Sequence, residues 1–368
     1  EHNLAKVGVE GSNPFARSME THMKPLYYLL FFFIFVLFSS CTSQKNIHNY
    51  YLPEISKIDE EKEIFLQKKI LINEMILASR LLHKISWPIL KKNIDICNSE
   101  GPYSFGIIYA AQEDLPENER KNFKNILNKN VQPTYFKENM VESFPLIISV
   151  AKDSPGFYSN VQAGDIVLRI NDLNVTNFRK KLRSSISISS KLELIILRDN
   201  KVFRKKIDGI NICNYNIQAI PAAAPNAYAD GEKVFITLAA IKLAQTEDEL
   251  AFLIGHELAH NIYHYKSTGG SEADSLTISY RDGPKIKSFS SFFLMSSKKK
   301  ETEADLRGVE IAFKAGYKLK NVNDYWRRLS VFNPSLITNS SAIYKSNATR
   351  AIMISKTLER LRKLDEKK

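Results

Sequence analysis

His256-Glu257-Leu258-Ala259-His260 is the stretch on which the reading of this chain turns. In a helix it puts two imidazoles one turn apart on one face with a carboxylate beside the first, the donor arrangement of a zinc site that carries its own general base. The residues before it favour a helix. Thr246 and Glu249 have the spacing of a capping box, and Leu250, Leu253 and Ile254 supply an apolar stripe.

A catalytic zinc needs a third protein donor and an open position for water. His264 continues the four-residue series, but in a straight helix it lies about 12 Å along the axis from His256, too far to share an ion, and it reads as a polar surface residue. A third histidine of the metzincin kind is excluded, because Tyr263 and Lys266 stand where Gly and His would be needed. Glu301 and Asp305 are better placed, one turn apart on a second predicted helix that runs toward Gly316. Glu303 is the rival to Glu301; it sits about 200° round the helix from it, so only one of the two can face a metal.

The H-E-x-x-H motif followed downstream by Glu301 to Asp305, leading into Leu306-Arg307-Gly308, resembles the gluzincin peptidase family that contains BepA, HtpX and the CAAX prenyl protease. Asn226-Ala227-Tyr228-Ala229 and Lys233-Val234-Phe235-Ile236-Thr237 resemble that family's approach to the motif, and the resemblance extends over about residues 210–365. It implies a zinc metalloendopeptidase with one Zn2+ per chain held by His256, His260 and Glu301. Glu257 would be the catalytic general base and Asp305 a second catalytic or orienting carboxylate. Asn226, Val234, Phe235 and Ile236 would bind substrate, with residues 233–237 read as a short edge strand that pairs with an extended peptide. Near the C-terminal helix, where relatives carry His-Pro, this chain has Tyr344-Lys345-Ser346, so no additional histidine ligand is expected.

Met23-Lys24, an apolar run over 26–38 and then Ser39-Ser40-Cys41 read as a lipoprotein signal peptide at 23–41, with Cys41 as the lipidated residue. The run is shorter than the roughly 20 residues a membrane-spanning helix needs. An uncleaved anchor is the competing reading. Both place the protein in the bacterial cell envelope, facing the periplasm and attached to the membrane. Residues 1–22 show no periodic pattern and are set aside as upstream and disordered. Lys and Arg number 52 against 40 Asp and Glu, a net charge of +12, which favours anionic lipid headgroups or acidic partners. The basic residues are dispersed and no nucleic-acid motif occurs, so proteins or peptides are the expected substrates and no nucleic acid is. Of three cysteines, Cys97 and Cys213 remain after Cys41, and the sequence fits a disulfide and two free thiols equally well.

Residues 42–100 read as a linker and one amphipathic helix over 58–85, with Ile64, Lys68, Leu71, Met75, Ala78 and Leu82 on one face. Residues 101–208 turn to β character, with strands over 146–150, 165–171 and 192–198 and a loop with one short helix over 113–137. The stretch Val161-Gln162-Ala163-Gly164-Asp165-Ile166-Val167-Leu168-Arg169-Ile170-Asn171-Asp172 resembles the core of a PDZ domain, Gly164 allowing a tight turn before alternating apolar residues. Phe144-Pro145-Leu146-Ile147 then falls where the ligand-binding loop is expected, without its glycine. Residues 209–368 form the metallopeptidase domain, and the Ser-rich segment 267–300, with Phe289, Phe292, Phe293 and Leu294, is either a lid over the cleft or a surface loop. The fold class is therefore α+β, a mainly helical zincin-type metallopeptidase domain with a short edge strand, preceded by a small β-rich PDZ-like domain. The function expected is cleavage of envelope proteins in quality control. The alternative is a non-catalytic periplasmic binding or chaperone module working through the PDZ-like groove.

Overall fold

A computed structural model describes residues 52–97, 103–115, 120, 144–175, 177–265 and 297–367. Cys41 and most of the segment 267–300 lie outside the described residues. The chain divides into two compact units, Glu1–Lys62 and Glu63–Lys368, and apart from the first residues of the helix Lys57–Lys92 the features below belong to the second.

Helix α1 (Lys57–Lys92) starts at Ser56, whose Oγ accepts the Asp59 N–H, and its acidic first turn and basic last turn complement the helix dipole. Ile64 is exposed, and the apolar stripe is covered only from Ile72 onward, through Met75, Ala78, Leu82, Ile85 and Ile89. The helix also runs past the expected end and carries Pro88 within it. Its covered half touches the first sheet, where Arg80 Nε donates to Ile148 O at 2.5 Å and His83 Nδ1 lies 2.9 Å from Ser149 Oγ. Among the described residues no helix is long and apolar enough to cross a membrane.

That first sheet is antiparallel, in the order β1 (Ile107–Ala110), β2 (Leu146–Val150), β3 (Ile166–Ile170), β5 (Lys191–Arg198), β6 (Lys201–Asp208), with β4 (Leu173–Asn174) pairing β3. Gly164 takes φ +101° in the turn before β3, a conformation that suits glycine. Asp199 and Asn200, both at positive φ, close the β5–β6 hairpin, as a two-residue turn of this hand requires. Helix α2 (Pro155–Tyr158) is a single turn capped by Ser154. Helix α3 (Phe178–Ile188) adds Phe178 and Leu182 to a core with Ile107, Tyr109, Ile147, Val167, Leu194 and Ile196. Phe144-Pro145-Leu146-Ile147 is not the expected loop: it enters β2, an interior strand, and Pro145 O accepts the Val167 N–H at 2.8 Å.

The chain enters and leaves this sheet at one place. Ser104 and Ile210 form an isolated bridge, and Cys97 and Cys213 are joined by a disulfide with Cα atoms 5.4 Å apart. The bond closes a loop 116 residues long, for which loop-closure entropy gives about 4–5 kcal/mol. Replacing both cysteines by Ala should lower the unfolding free energy by an amount of that order in denaturant titration. A change under about 1 kcal/mol would contradict it.

The second sheet has the order β7 (Asn216–Ile220), β9 (Lys233–Thr237), β8 (Ala227–Ala229), parallel between β7 and β9 and antiparallel between β8 and β9. Lys233–Thr237 is thus the middle strand, not the edge. Thr237 then caps α4 (Leu238–Leu243), its Oγ1 accepting the Ala240 N–H, and Thr246 does the same for α5 (Glu247–Ala259) at the Glu249 N–H. The capping carboxylate of Glu249 reaches the Gln245 N–H at 2.8 Å and pairs with Arg328. Among the described residues the further α-helices are α6 (Lys298–Lys314), α7 (Asn323–Phe332) and α8 (Asn347–Asp365).

Candidate metal centre

Helix α5 is buried on every side from Glu249 to Ala259, and His260 just after it is buried too, so both histidines face protein rather than bulk water. It lies against α6 at a pair of glycines. A Cβ on Gly255 would stand 2.5 Å from Gly308 O, and one on Gly308 would stand 2.7 Å from His256 N. Only at such backbone separation can short side chains from both helices converge. Gly308→Ala should cost about 1–3 kcal/mol through overpacking, seen as a lower melting temperature, and should weaken metal uptake because the clash falls on the His256 backbone.

The convergence is specific. His256 Nε2 and His260 Nε2 are 3.2 Å apart; Glu301 Oε2 lies 3.4 Å from the first and Glu301 Oε1 lies 3.5 Å from the second. One donor atom from each of the three residues lies within 4.8 Å of the others, and all three are buried. Glu257, the next residue after His256, is also buried, and its Oε2 accepts no hydrogen bond from the described residues. Burial, with the Glu301 charge adding and the His256 charge opposing, pushes the Glu257 carboxyl up to about 7.

Behind His256, its Nδ1 lies 3.0 Å from Asp305 Oδ1. Asp305 is held in turn by a two-pronged pair with Arg350, each bond 2.8 Å, and the Arg350 guanidinium lies 3.8 Å from the centre of the Trp326 ring and 4.9 Å from that of Tyr344. Burial opposes ionisation of Asp305, but the Arg350 charge prevails and holds the carboxyl below its usual range. Asp305 therefore orients a ring and does not reach the centre itself.

Of the two rival glutamates, Glu301 faces His256 and His260, while Glu303 stays outside the cluster, its side chain 43 % exposed and 3.3 Å from His264. His264 departs from the surface position expected of it, with its side chain only 7 % exposed. The helix changes to a π turn over His260–His264, Tyr265 N–H bonding His260 O, which swings His264 back beside His260. Val234, Phe235 and Ile236 are core residues of the middle strand, so they have no free backbone edge to offer a peptide. Asn226 immediately precedes β8, its N–H bonded to Thr237 Oγ1. Among the described residues β8 is an outer strand, and the charge of Glu257 is felt at its Tyr228 phenol, which burial chiefly pushes up. Asn261 ties this sheet to the helix, accepting from Gly231 N–H and donating to Lys233 O. Arg350 and Trp326 had no signal in the sequence pattern, and Tyr344 entered it only as the residue standing where relatives carry His-Pro.

Two imidazoles and one carboxylate, buried and mutually within coordination reach, form a donor set that suits zinc and is costly to bury without a cation. A model of Peptidase family M48 matches residues 200–280, a span that includes the two histidines and Glu257 and ends before Glu301. No curated protein sequence matches the chain.

Proposed function

We propose that the chain is a zinc-dependent endopeptidase. The observation that carries this reading is the buried cluster of His256, His260 and Glu301 beside a Glu257 carboxylate with an unengaged oxygen. The family match over residues 200–280 supports it. Zinc held by these three donors would polarise a peptide carbonyl and acidify a water molecule. Glu257 then takes the water's proton as its oxygen adds to the carbonyl carbon, and it gives that proton to the amine nitrogen when the C–N bond breaks. Without the ion, burial pushes the Glu257 carboxyl up to about 7, and a carboxylate beside the bound water is the group that can accept its proton and return it. Asp305 keeps the His256 ring in place, and Arg350 keeps Asp305 in place.

The substrate strand adds to the outer side of β8, Ala227–Ala229, rather than to β9, because β9 is already bonded on both sides. The test is cleavage of unfolded casein by the purified protein. Activity should vanish with a chelator and return with zinc, and activity indifferent to the chelator would rule the reading out.

The same proposal places the protein in the cell envelope, lipid-anchored through Cys41 and acting on envelope proteins, with the antiparallel sheet as a PDZ-like accessory domain. The Cys97–Cys213 disulfide supports that location, since such bonds persist in oxidising compartments.

A further inference from the structure

The zinc-site reading leaves two polar residues of the region without a role. His264 Nδ1 lies 2.9 Å from His260 Nδ1, and on its other side His264 Nε2 lies 3.3 Å from Glu303 Oε2. The line begins at a buried ring, passes through a ring that is 7 % exposed and ends at a carboxylate that is 43 % exposed. Arg307 Nε stands 4.0 Å from the other Glu303 oxygen, at the surface. The π turn over His260–His264 is what brings the two rings together, with centroids 5.0 Å apart and planes at 62°.

We propose that His264 and Glu303 form a hydrogen-bond chain behind His260 that fixes which of its nitrogens is free to bind the ion. The inference rests on the proposed metal centre and assigns positioning residues. With His264 neutral and Glu303 ionised, the donor inventory allows one arrangement of protons along the chain. A carboxylate only accepts, so the proton on His264 belongs on Nε2, and its Nδ1 then carries a lone pair. That lone pair accepts the Nδ1–H of His260. His260 Nε2 is left with its own lone pair, directed into the cluster where it lies 3.5 Å from Glu301 Oε1. A doubly protonated His264 would instead point Nδ1–H at His260 Nδ1 and force the His260 proton onto Nε2, where the ion must bind.

The two candidate ligands are thus backed differently. His256 has a buried, charge-neutralised carboxylate behind it, whereas His260 has a neutral ring whose partner reaches water. Partners of this kind fix the orientation and basicity of a metal-binding imidazole, and losing one costs about 10–100-fold in metal affinity. Glu303, the rival ligand by sequence, acquires its place through His264 and not through the ion.

The experiment measures zinc affinity of the full chain by competition with a chromophoric chelator, with the fold checked by circular dichroism and by the melting curve of the chelated protein. His264→Phe keeps the ring volume and removes both bonds. It should weaken zinc binding about 10–100-fold, Glu303→Ala should weaken it less, and the double variant should be no weaker than His264→Phe. Affinity of His264→Phe within about twofold of wild type would overturn the chain, that being below the range expected for such partners. Should His264→Phe not fold, nitrogen NMR of zinc-loaded wild type with labelled histidines reads the tautomers directly. Protons on His260 Nδ1 and His264 Nε2 support the chain, and the reverse overturns it. Zinc uptake with these losses but no peptide cleavage by the wild type would support the chain while refuting the peptidase reading. A wild type that takes up no zinc overturns both.

Discussion

Glu257→Gln should reduce peptide cleavage by about 10²–10⁴-fold while zinc uptake persists. The amide has nearly the carboxylate's shape and cannot accept the water's proton. Glu257 is not among the three donors of the cluster, so replacing it leaves His256, His260 and Glu301 in place. Because its Oε2 accepts no hydrogen bond from the described residues, the substitution strands no partner, and the melting temperature should change little. The loss should appear in kcat more than in KM, since the proton transfer belongs to the transition state. Equal turnover in wild type and variant would remove Glu257 from the reaction and leave the cluster as a structural metal site.

Arg350→Met should destabilise the protein by about 3–5 kcal/mol, because it leaves the Asp305 carboxylate buried without its partner. Both residues are buried, and the guanidinium is also held between Trp326 and Tyr344, so no solvent reaches in to compensate. Lysine would not rescue it, since a point charge cannot make the two-pronged contact. The depressed ionisation of Asp305 gives the sign of the pH effect. Its contribution is present above the ordinary aspartate range and is lost as pH falls through the lower value in the folded protein. Adding Asp305→Asn to Arg350→Met should recover part of the loss, a coupling that a double-mutant cycle measures. A melting temperature for Arg350→Met equal to that of wild type would contradict the pairing.

How far the sequence led depended on whether the deciding signal was local. Spacing sufficed to put His256 and His260 on one face of a helix that Thr246 caps. It narrowed the third donor to Glu301 or Glu303, the family resemblance pointed to Glu301, and the structure turns Glu301 toward both histidines where α6 meets α5 at Gly255 and Gly308. For Lys233–Thr237 a usable signal was present and misread. Val234-Phe235-Ile236 is an unbroken apolar run, which marks a strand covered on both faces and so speaks for the interior of a sheet rather than an open substrate-binding edge. β6 escaped notice because Arg204, Lys205 and Lys206 look like a solvated charge run, although Asp199-Asn200 is a hairpin turn signal. His264 was misplaced by assuming a straight α-helix through a segment that widens into a π turn. Arg350 lies 45 residues from the carboxylate it serves, and no pattern within α8 distinguishes it from a surface arginine.

Zinc titration of the chelator-stripped protein in buffers of different ionisation enthalpy tests the three-donor centre most directly. Burial disfavours a charged His256, but the Asp305 and Glu301 carboxylates outweigh it and push its pKa up to about 10. The stripped protein therefore carries a proton there at neutral pH. The stability this proton lends is full below 6.5 and disappears as pH rises through 10. Zinc must displace it. The prediction is one zinc per chain, release of about one proton from His256 at pH 7, affinity that rises with pH, and loss of uptake in Glu301→Gln. Zinc bound with the same affinity by wild type and Glu301→Gln, or without proton release, would contradict the centre described here.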